Sequence, residues 1–468
     1  MPLAEESKKT AQAQWIRPFK AKGGARYIQI ADMIAESIQS GSLQAGDQVP
    51  PQRTLAAELG VDLTTVTRAY AEARNRGLIA SYGGRGSFVM GASAPGAQAR
   101  IDLTMNIPPQ PANGSMAERV GKGLEEVLRR QRIEALSTYQ DEPGTRSAVQ
   151  AGQAWLQPAL GDLDLRGLSV CAGSQAAIFA ILSSTTRPGD SVLCDPLTYP
   201  GLLLAARQLG LRVVAVEGDA DGMRPDALER AQQQSGARLL YLNPTFNNPT
   251  AQTMPAGRRA QIAATLLRLQ LTLIEDDPYR YLLDDAPAPI ATLTGGANTY
   301  YLASLSKCLW PSLRTSFVLP PRDDDGDRLH AGLRAASMGC SGLLLGLVEH
   351  WIRSGTAKAL VEEIQREARA RQQLARSLLS HEVQTHPSGL HLWLPLPAHW
   401  NQSLFTHALD EVGVNVAGAD SFSVSAQAQD AVRVSLGGAA DQASLGLALR
   451  KIEALLKEDR RRNSRAFV

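Results

Sequence analysis

The chain has 468 residues, with 48 Lys and Arg against 46 Asp and Glu for a net charge of +2. That length exceeds one ordinary core and predicts roughly two to three domains at ~150 residues each, while the near-neutral balance excludes a molecule that holds nucleic acid or membrane by bulk charge. Four scattered cysteines (Cys171, Cys194, Cys308, Cys340) form neither a disulfide framework nor a zinc motif, and no apolar run approaches the roughly eighteen residues of a membrane span, so a soluble, cytoplasmic, metal-free protein is expected.

After a polar start, Ile28, Ala31, Ile34, Ala35 and Ile38 recur at three- and four-residue steps, the stripe of a helix that stops near Gly41. A second helix opens after Pro50-Pro51 and closes at Gly60, where each residue type costs least. Asp62 can cap a third, from Leu63 to about Arg76, that buries Val66, Ala69, Tyr70 and Ala73. Near its start Thr64, Thr65, Thr67 and Arg68 are suited to phosphates and to base edges in a major groove. Leu78-Ile79-Ala80 and Ser87-Phe88-Val89 flank Ser81 to Gly86, which is hairpin chemistry with Arg85 at the tip.

Helix, helix, helix, hairpin is a winged helix-turn-helix, and residues 20–90 resemble the DNA-binding domain of GntR-type transcription regulators. The resemblance implies a double-stranded DNA operator contacted by Arg53, Thr64, Thr65 and Arg68, with Arg85 in the minor groove. Asp62 stands where that family more often has serine, and a carboxylate there repels phosphate. Residues 26–90 hold six arginines and six acids, so affinity should depend on dimerisation and a few placed contacts.

Residues 91–100, small and flexible, predict a linker. From 101 to 468 short apolar runs (Ser191 to Leu193, Leu211 to Val216, Leu239 to Leu242, Thr272 to Glu275, Tyr300 to Ala303) alternate with helical patterns, which predicts an α/β domain with a mainly parallel central sheet. Polar residues follow several of these runs, where ligands of such sheets collect. Gly173-Ser174-Gln175 can hold a phosphate at a helix N-terminus. The amides of Asn243 to Thr250 can donate to a phenolate oxygen, Asp276 is placed to pair with a protonated ring nitrogen, and Lys307 in Ser304-Leu305-Ser306-Lys307 suits an aldehyde cofactor held as an imine.

Together with Tyr199, Asn248, Asp277-Pro278-Tyr279 and Arg314, these motifs resemble the fold type I pyridoxal 5′-phosphate enzymes of the aminotransferase class. With the GntR-like head, the chain resembles the MocR subfamily, in which an aminotransferase-like domain serves a transcription regulator. The resemblance implies Lys307 as the imine lysine, Asp276 on the pyridinium nitrogen, Asn248 and Tyr279 on the ring oxygen, and Tyr199 stacked on the ring. It further implies Gly173, Ser174, Gln175, Ser304, Ser306 and Arg314 around the phosphate, and Tyr139 reaching the phosphate of the neighbouring subunit, hence a homodimer. Two departures stand out: Tyr139-Gln140-Asp141-Glu142 in place of the usual Tyr-Gly-Asp-Pro, and Thr250-Ala251 in place of Thr-Gly. Arg433, in Val432-Arg433-Val434, resembles the arginine that grips an α-carboxylate; alternation puts it opposite its apolar neighbours, where it needs a ligand or an acid partner.

Two functions use this one site. The first is a transcription regulator that senses an amino compound, or pyridoxal phosphate itself, by aldimine exchange at Lys307. The second is a working aminotransferase with an accessory DNA-binding head.

Overall fold

A computed structural model of the chain describes residues 16–19, 24–44, 46–82, 86–89, 100–110, 116–138, 144–322, 326–425 and 429–458. Arg85, Tyr139 and linker residues 91–99 lie outside the described residues. The chain divides into two compact units, Met1–Arg100 and Ile101–Val468.

In the first unit three helices, Arg26–Gln39, Gln52–Leu59 and Leu63–Asn75, accompany a three-stranded antiparallel sheet in which Gly86–Val89 lies between Gln48–Val49, which follows the first helix, and Ile79–Tyr82. Gly60 ends the second helix at φ +60°, a left-handed backbone that glycine takes without steric cost. Asp62 caps the third helix by accepting from the Thr65 amide at 2.9 Å. The helical stripes converge on one core of Ile30, Ile34, Leu55, Val66, Ala69 and Tyr70, closed by Val49, Ile79 and Val89 from the sheet. Tyr70 is buried, so its hydroxyl needs a partner; it donates to the Pro50 carbonyl at 2.6 Å and anchors the turn before the second helix.

The second unit is built on a seven-stranded sheet in the order Ser169–Cys171, Ser316–Leu319, Thr299–Ser304, Thr272–Asp276, Leu239–Leu242, Ser191–Cys194, Arg212–Ala215. Ser316–Leu319 runs antiparallel to both neighbours and the other pairings are parallel. Leu239–Leu242 and Thr299–Ser304 are buried at every position, as expected of central strands with helices on both faces. Ser169–Cys171 and Ser316–Leu319 complete the sheet beyond the runs picked out by sequence.

A smaller antiparallel sheet, in the order Gln384–Thr385, His391–Pro395, Ala431–Ser435, Ala417–Gly418, packs against Thr356–Leu378 and Gln442–Lys457. The start of the unit belongs to this part, because Ile101–Asp102 pairs in parallel with Val414–Asn415. The chain then crosses the end of Ala431–Ser435 at Gly437 and Gly438. A Cβ at Gly437 would collide with the Ile107 carbonyl oxygen, and one at Gly438 with that of Asp102, so only glycine permits this crossing.

Candidate functional site

The C-terminal ends of the parallel strands open into one pocket lined by Ser174, Gln175, Tyr199, Tyr241, Asn243, Asn248, Asp276, Pro278, Tyr279, Ser304, Ser306, Lys307 and Arg314. Residues from 174 to 314 meet because the loops after neighbouring parallel strands leave the sheet on one edge. Arg314 arrives by a different route. The antiparallel register Ser316↔Cys171 brings it opposite Gly173, and its Nη2 donates to the Ala172 carbonyl at 3.3 Å. Gly173 (φ +96°) precedes helix Ser174–Thr185, and a Cβ there would approach Arg314 Nη2 to 3.1 Å. Glycine therefore keeps a guanidinium beside a helix N-terminus, an arrangement fit for a phosphate.

Asp276 ends its strand 5% exposed. Its Oδ2 accepts from Tyr241 Oη at 2.8 Å, while Oδ1 is buried without a hydrogen-bond partner among the described residues. Burial raises the carboxyl to about 6, against the opposing pull of the Tyr241 bond. A half-satisfied buried carboxylate of this kind can hold a protonated ring nitrogen. Asn243 donates to the Asp276 carbonyl at 2.8 Å and accepts from the Asn248 amide at 2.9 Å, so the strand end and the Asn248 loop are tied together. Ala251 in that loop sits at φ +59°, the left-handed conformation that the family's more frequent glycine takes freely.

Lys307 follows Thr299–Ser304, and its Nζ donates to the Asn106 carbonyl. Burial, and then the nearby Arg433 charge, lower the amine to about 8. Ser304 Oγ accepts from the Ser306 amide at 3.2 Å, and Gln175 Nε2 donates to the Gly201 carbonyl at 2.9 Å. Tyr199 stands at the start of helix Pro200–Gln208, its phenol raised to about 12 by burial and the Asp276 charge.

Arg433 lies 5% exposed on Ala431–Ser435. Its Nη1 donates to Asn248 Oδ1 at 2.7 Å, its Nη2 to the Thr104 carbonyl, and its Cζ lies 4.9 Å from the Phe422 ring centroid. Nε has no hydrogen-bond partner, and no carboxylate pairs with the guanidinium among the described residues. Burial lowers it to about 10. A buried cation without a counter-charge, beside Lys307, is suited to a ligand carboxylate.

Four residues that sequence reasoning missed belong to this region: Thr104, Asn106, Tyr241 and His391. Tyr241 and His391 sit on apolar strands where periodicity marks only core, and Asn106 precedes Ile107-Pro108-Pro109 with no spacing to tie it to Lys307.

On the head, Arg53, Thr64 and Arg68 are exposed. Thr65 Oγ1 donates to Asp62 Oδ2 at 2.7 Å and Thr64 Oγ1 donates to Oδ1, so both hydroxyls offer outward lone pairs, not protons. These bonds hold the Asp62 carboxyl well below the usual carboxylate range. Arg68 Cζ lies 5.6 Å from the Tyr27 ring centroid.

The bacterial regulatory proteins of the gntR family match residues 26–89, and the aminotransferases of class I and II match residues 99–452. A Salmonella typhimurium protein named vitamin B6 salvage pathway transcriptional repressor PtsJ is 30% identical over 404 residues, 85% of this chain and 91% of its own. The uncharacterised HTH-type transcriptional regulator YdeF of Bacillus subtilis is 29% identical over 421 residues, 88% of this chain and 90% of its own. Among solved structures, the α-aminoadipate aminotransferase LysN of Thermus thermophilus, complexed with N-(5′-phosphopyridoxyl)-L-leucine, superposes with a TM-score of 0.70 at 21% identity, covering 76% of this chain and 92% of that one.

The second unit is thus an aminotransferase fold type I domain, a pyridoxal 5′-phosphate fold. The chain belongs to the GntR-type transcription regulators that carry an aminotransferase class I and II domain, the MocR-like regulators. It is a DNA-binding regulator whose cofactor is pyridoxal 5′-phosphate. Among the described residues no helix is long and apolar enough to cross a membrane, and no cluster of side chains could hold a metal ion.

Proposed function

We propose that this regulator senses a carboxylate-bearing amino compound in the pocket around Lys307, and that residues 20–90 read the operator while 91–100 carry the signal from residues 101–468. The observation that carries this reading is Arg433, a buried guanidinium beside the Lys307 amine without a counter-charge among the described residues. Bound pyridoxal 5′-phosphate supplies a carbonyl that condenses with primary amines and a ring that withdraws electrons. In this reading Asp276 holds the ring nitrogen and Asn248 and Tyr279 face the ring oxygen. Tyr199 covers the ring, and Gly173, Ser174, Gln175, Ser304, Ser306 and Arg314 receive the phosphate. Lys307 is the amine that an effector displaces, and Arg433 takes the effector's carboxylate. The protein works in the cytoplasm as a homodimer, with Tyr139 completing the partner's phosphate site and Arg53, Thr64, Thr65, Arg68 and Arg85 on DNA.

An effector shifts operator affinity only by its differential affinity for two arrangements of the heads. The test is operator binding by the full-length dimer, with pyridoxal 5′-phosphate, across a panel of amino acids and B6 vitamers. The panel includes vitamers because the PtsJ relative is named for vitamin B6 salvage. At least one compound changes operator affinity in the wild type and none does in Lys307→Ala; a Lys307→Ala protein that responds normally overturns the reading.

One observation favours a second reading, in which transamination also turns over. The Lys307 amine, lowered to about 8, is available as a base near neutral pH. Product formation from amino and keto acids at rates ordinary for enzymes would support it, and spectral change without product would exclude it.

A further inference from the structure

Behind the pocket lies a buried polar chain. Asn106, Tyr279 and His391 are 3%, 2% and 0% exposed. Asn106 Nδ2 lies 3.0 Å from Tyr279 Oη and 2.9 Å from His391 Nδ1, and His391 Nε2 lies 3.2 Å from the Asn247 carbonyl oxygen.

The proton positions follow from the chemistry of the groups. A carbonyl only accepts, so His391 Nε2 carries the ring proton and Nδ1 is a lone pair. Burial, and then the Arg433 charge, depress the imidazole to about 3, so the ring is neutral and the second proton is absent. The group facing Nδ1 is therefore the Asn106 amide nitrogen, not its oxygen. One amide proton goes to His391 and the other to Tyr279 Oη. With that lone pair occupied, the phenol's own proton is directed elsewhere, and the ligand pocket is the space that Tyr279 lines. The backbone of the same asparagine accepts from Lys307 Nζ, and two residues earlier Thr104 accepts from Arg433.

We propose that Asn106, oriented by His391, is a positioning residue that sets the Tyr279 phenol as a hydrogen-bond donor into the pocket. A phenol held in this sense favours an anionic oxygen on its ligand over a hydroxyl that must itself donate. The inference rests on the sensor reading above and assigns two residues to it that are not ligand contacts.

The test uses the full-length protein loaded with pyridoxal 5′-phosphate and follows its visible absorbance band from pH 5 to 10. Loss of a donor to an anionic ring oxygen raises that oxygen's proton affinity. Asn106→Ala therefore moves the spectral midpoint up by about one pH unit, the size of one hydrogen bond to a charged group. Tyr279→Phe moves it at least as far, and the double variant no further than Tyr279→Phe alone. The other titratable groups around Tyr279, namely Arg433, Asp276 and Tyr199, are unchanged in these variants. His391→Asn keeps an acceptor near the place of Nδ1 and retains the wild-type midpoint, whereas His391→Leu behaves like Asn106→Ala. An unshifted midpoint in a folded Asn106→Ala protein that binds the cofactor overturns the inference, as does additivity in the double variant. A wild-type protein that binds no pyridoxal 5′-phosphate overturns the underlying reading instead.

Discussion

Tyr241 and Asp276, on adjacent parallel strands, meet through a 2.8 Å hydrogen bond in which the phenol donates to Oδ2. The bond is the counterweight to burial, which has already raised Asp276 to about 6. Tyr241→Phe removes it and raises the carboxyl further, so less of it is ionised at neutral pH. Affinity for pyridoxal 5′-phosphate should fall about tenfold, one hydrogen bond to a charged group. In the wild type the ionised form is present above about 6 and lost below it, so affinity should weaken as pH falls through that value. Cofactor titration by fluorescence from pH 5 to 8 reads both effects.

Lys307 carries the opposite shift. Its neutral amine, the form that reacts with a carbonyl, predominates above about 8 instead of above the ordinary 10.5. The rate of cofactor uptake by the cofactor-free protein should rise with pH and level off just above 8. Stopped-flow absorbance checks this, and a rate still climbing steeply at pH 10 would contradict the geometry described.

Arg433→Met deletes the guanidinium and leaves Asn248 Oδ1 and the Thr104 carbonyl without their donor. Carboxylated amines should lose about 100-fold in apparent affinity, the loss of a forked charge-assisted pair, while amines lacking the carboxylate lose little. Spectral titration with paired compounds, such as an amino acid and its decarboxylated amine, measures the difference.

On the head, Asp62 both caps the helix and places negative charge beside the expected phosphate path. Asp62→Ser keeps a cap and frees the Thr64 and Thr65 hydroxyls to donate. Operator affinity should rise, by more at 50 mM than at 200 mM salt, because one repulsive charge is gone. Asp62→Ala gains the same electrostatic benefit but loses the cap and with it helix stability. Fluorescence anisotropy at the two salt concentrations, with thermal unfolding alongside, separates cap from charge.

Arg259 and Glu275, both 0% exposed, lie 3.9 Å apart beneath the loop that presents Asn248. Arg259 also donates to the Met254 and Pro244 carbonyls at 2.9 and 3.0 Å, and Glu275 accepts from the amides of Ile290 and Ala291, both at 2.8 Å. Arg259→Met should therefore lose about 3–5 kcal/mol in denaturant unfolding, since it removes the counter-charge of a buried carboxylate and the donor of two buried carbonyls. A loss under 1 kcal/mol would show that the pair is dispensable.

Much of the molecule was legible in one dimension. The head's three helices repeat at 3.6 residues and its turn carries Pro50, Pro51 and Gly60, so local chemistry alone set those boundaries to within a residue or two. Most central strands announced themselves as short apolar runs, Asp276 and Lys307 stood out by their place after such runs and by motif, and Arg433 as a charge between two valines. Arg433 was expected to need a ligand or an acid partner. Two oxygen acceptors and an aromatic face also surround it, visible only once Thr104, Asn248 and Phe422 are in place, and none of them supplies a counter-charge.

What the sequence by itself determined is therefore whatever depends on neighbours in the chain: periodicity, caps, turn residues and the motif order that marks the family. Tertiary structure alone decided which of Tyr241, Asn243, Asn106 and His391 would reach the site. Their partners lie 35, 33, 201 and 144 positions away for Asp276, Asp276, Lys307 and Asn247 respectively. No local pattern encodes a hydrogen bond across such a span. It is set by strand order, by the antiparallel turn that returns Arg314 to Gly173, and by two glycines small enough to let Asp102 and Ile107 pass.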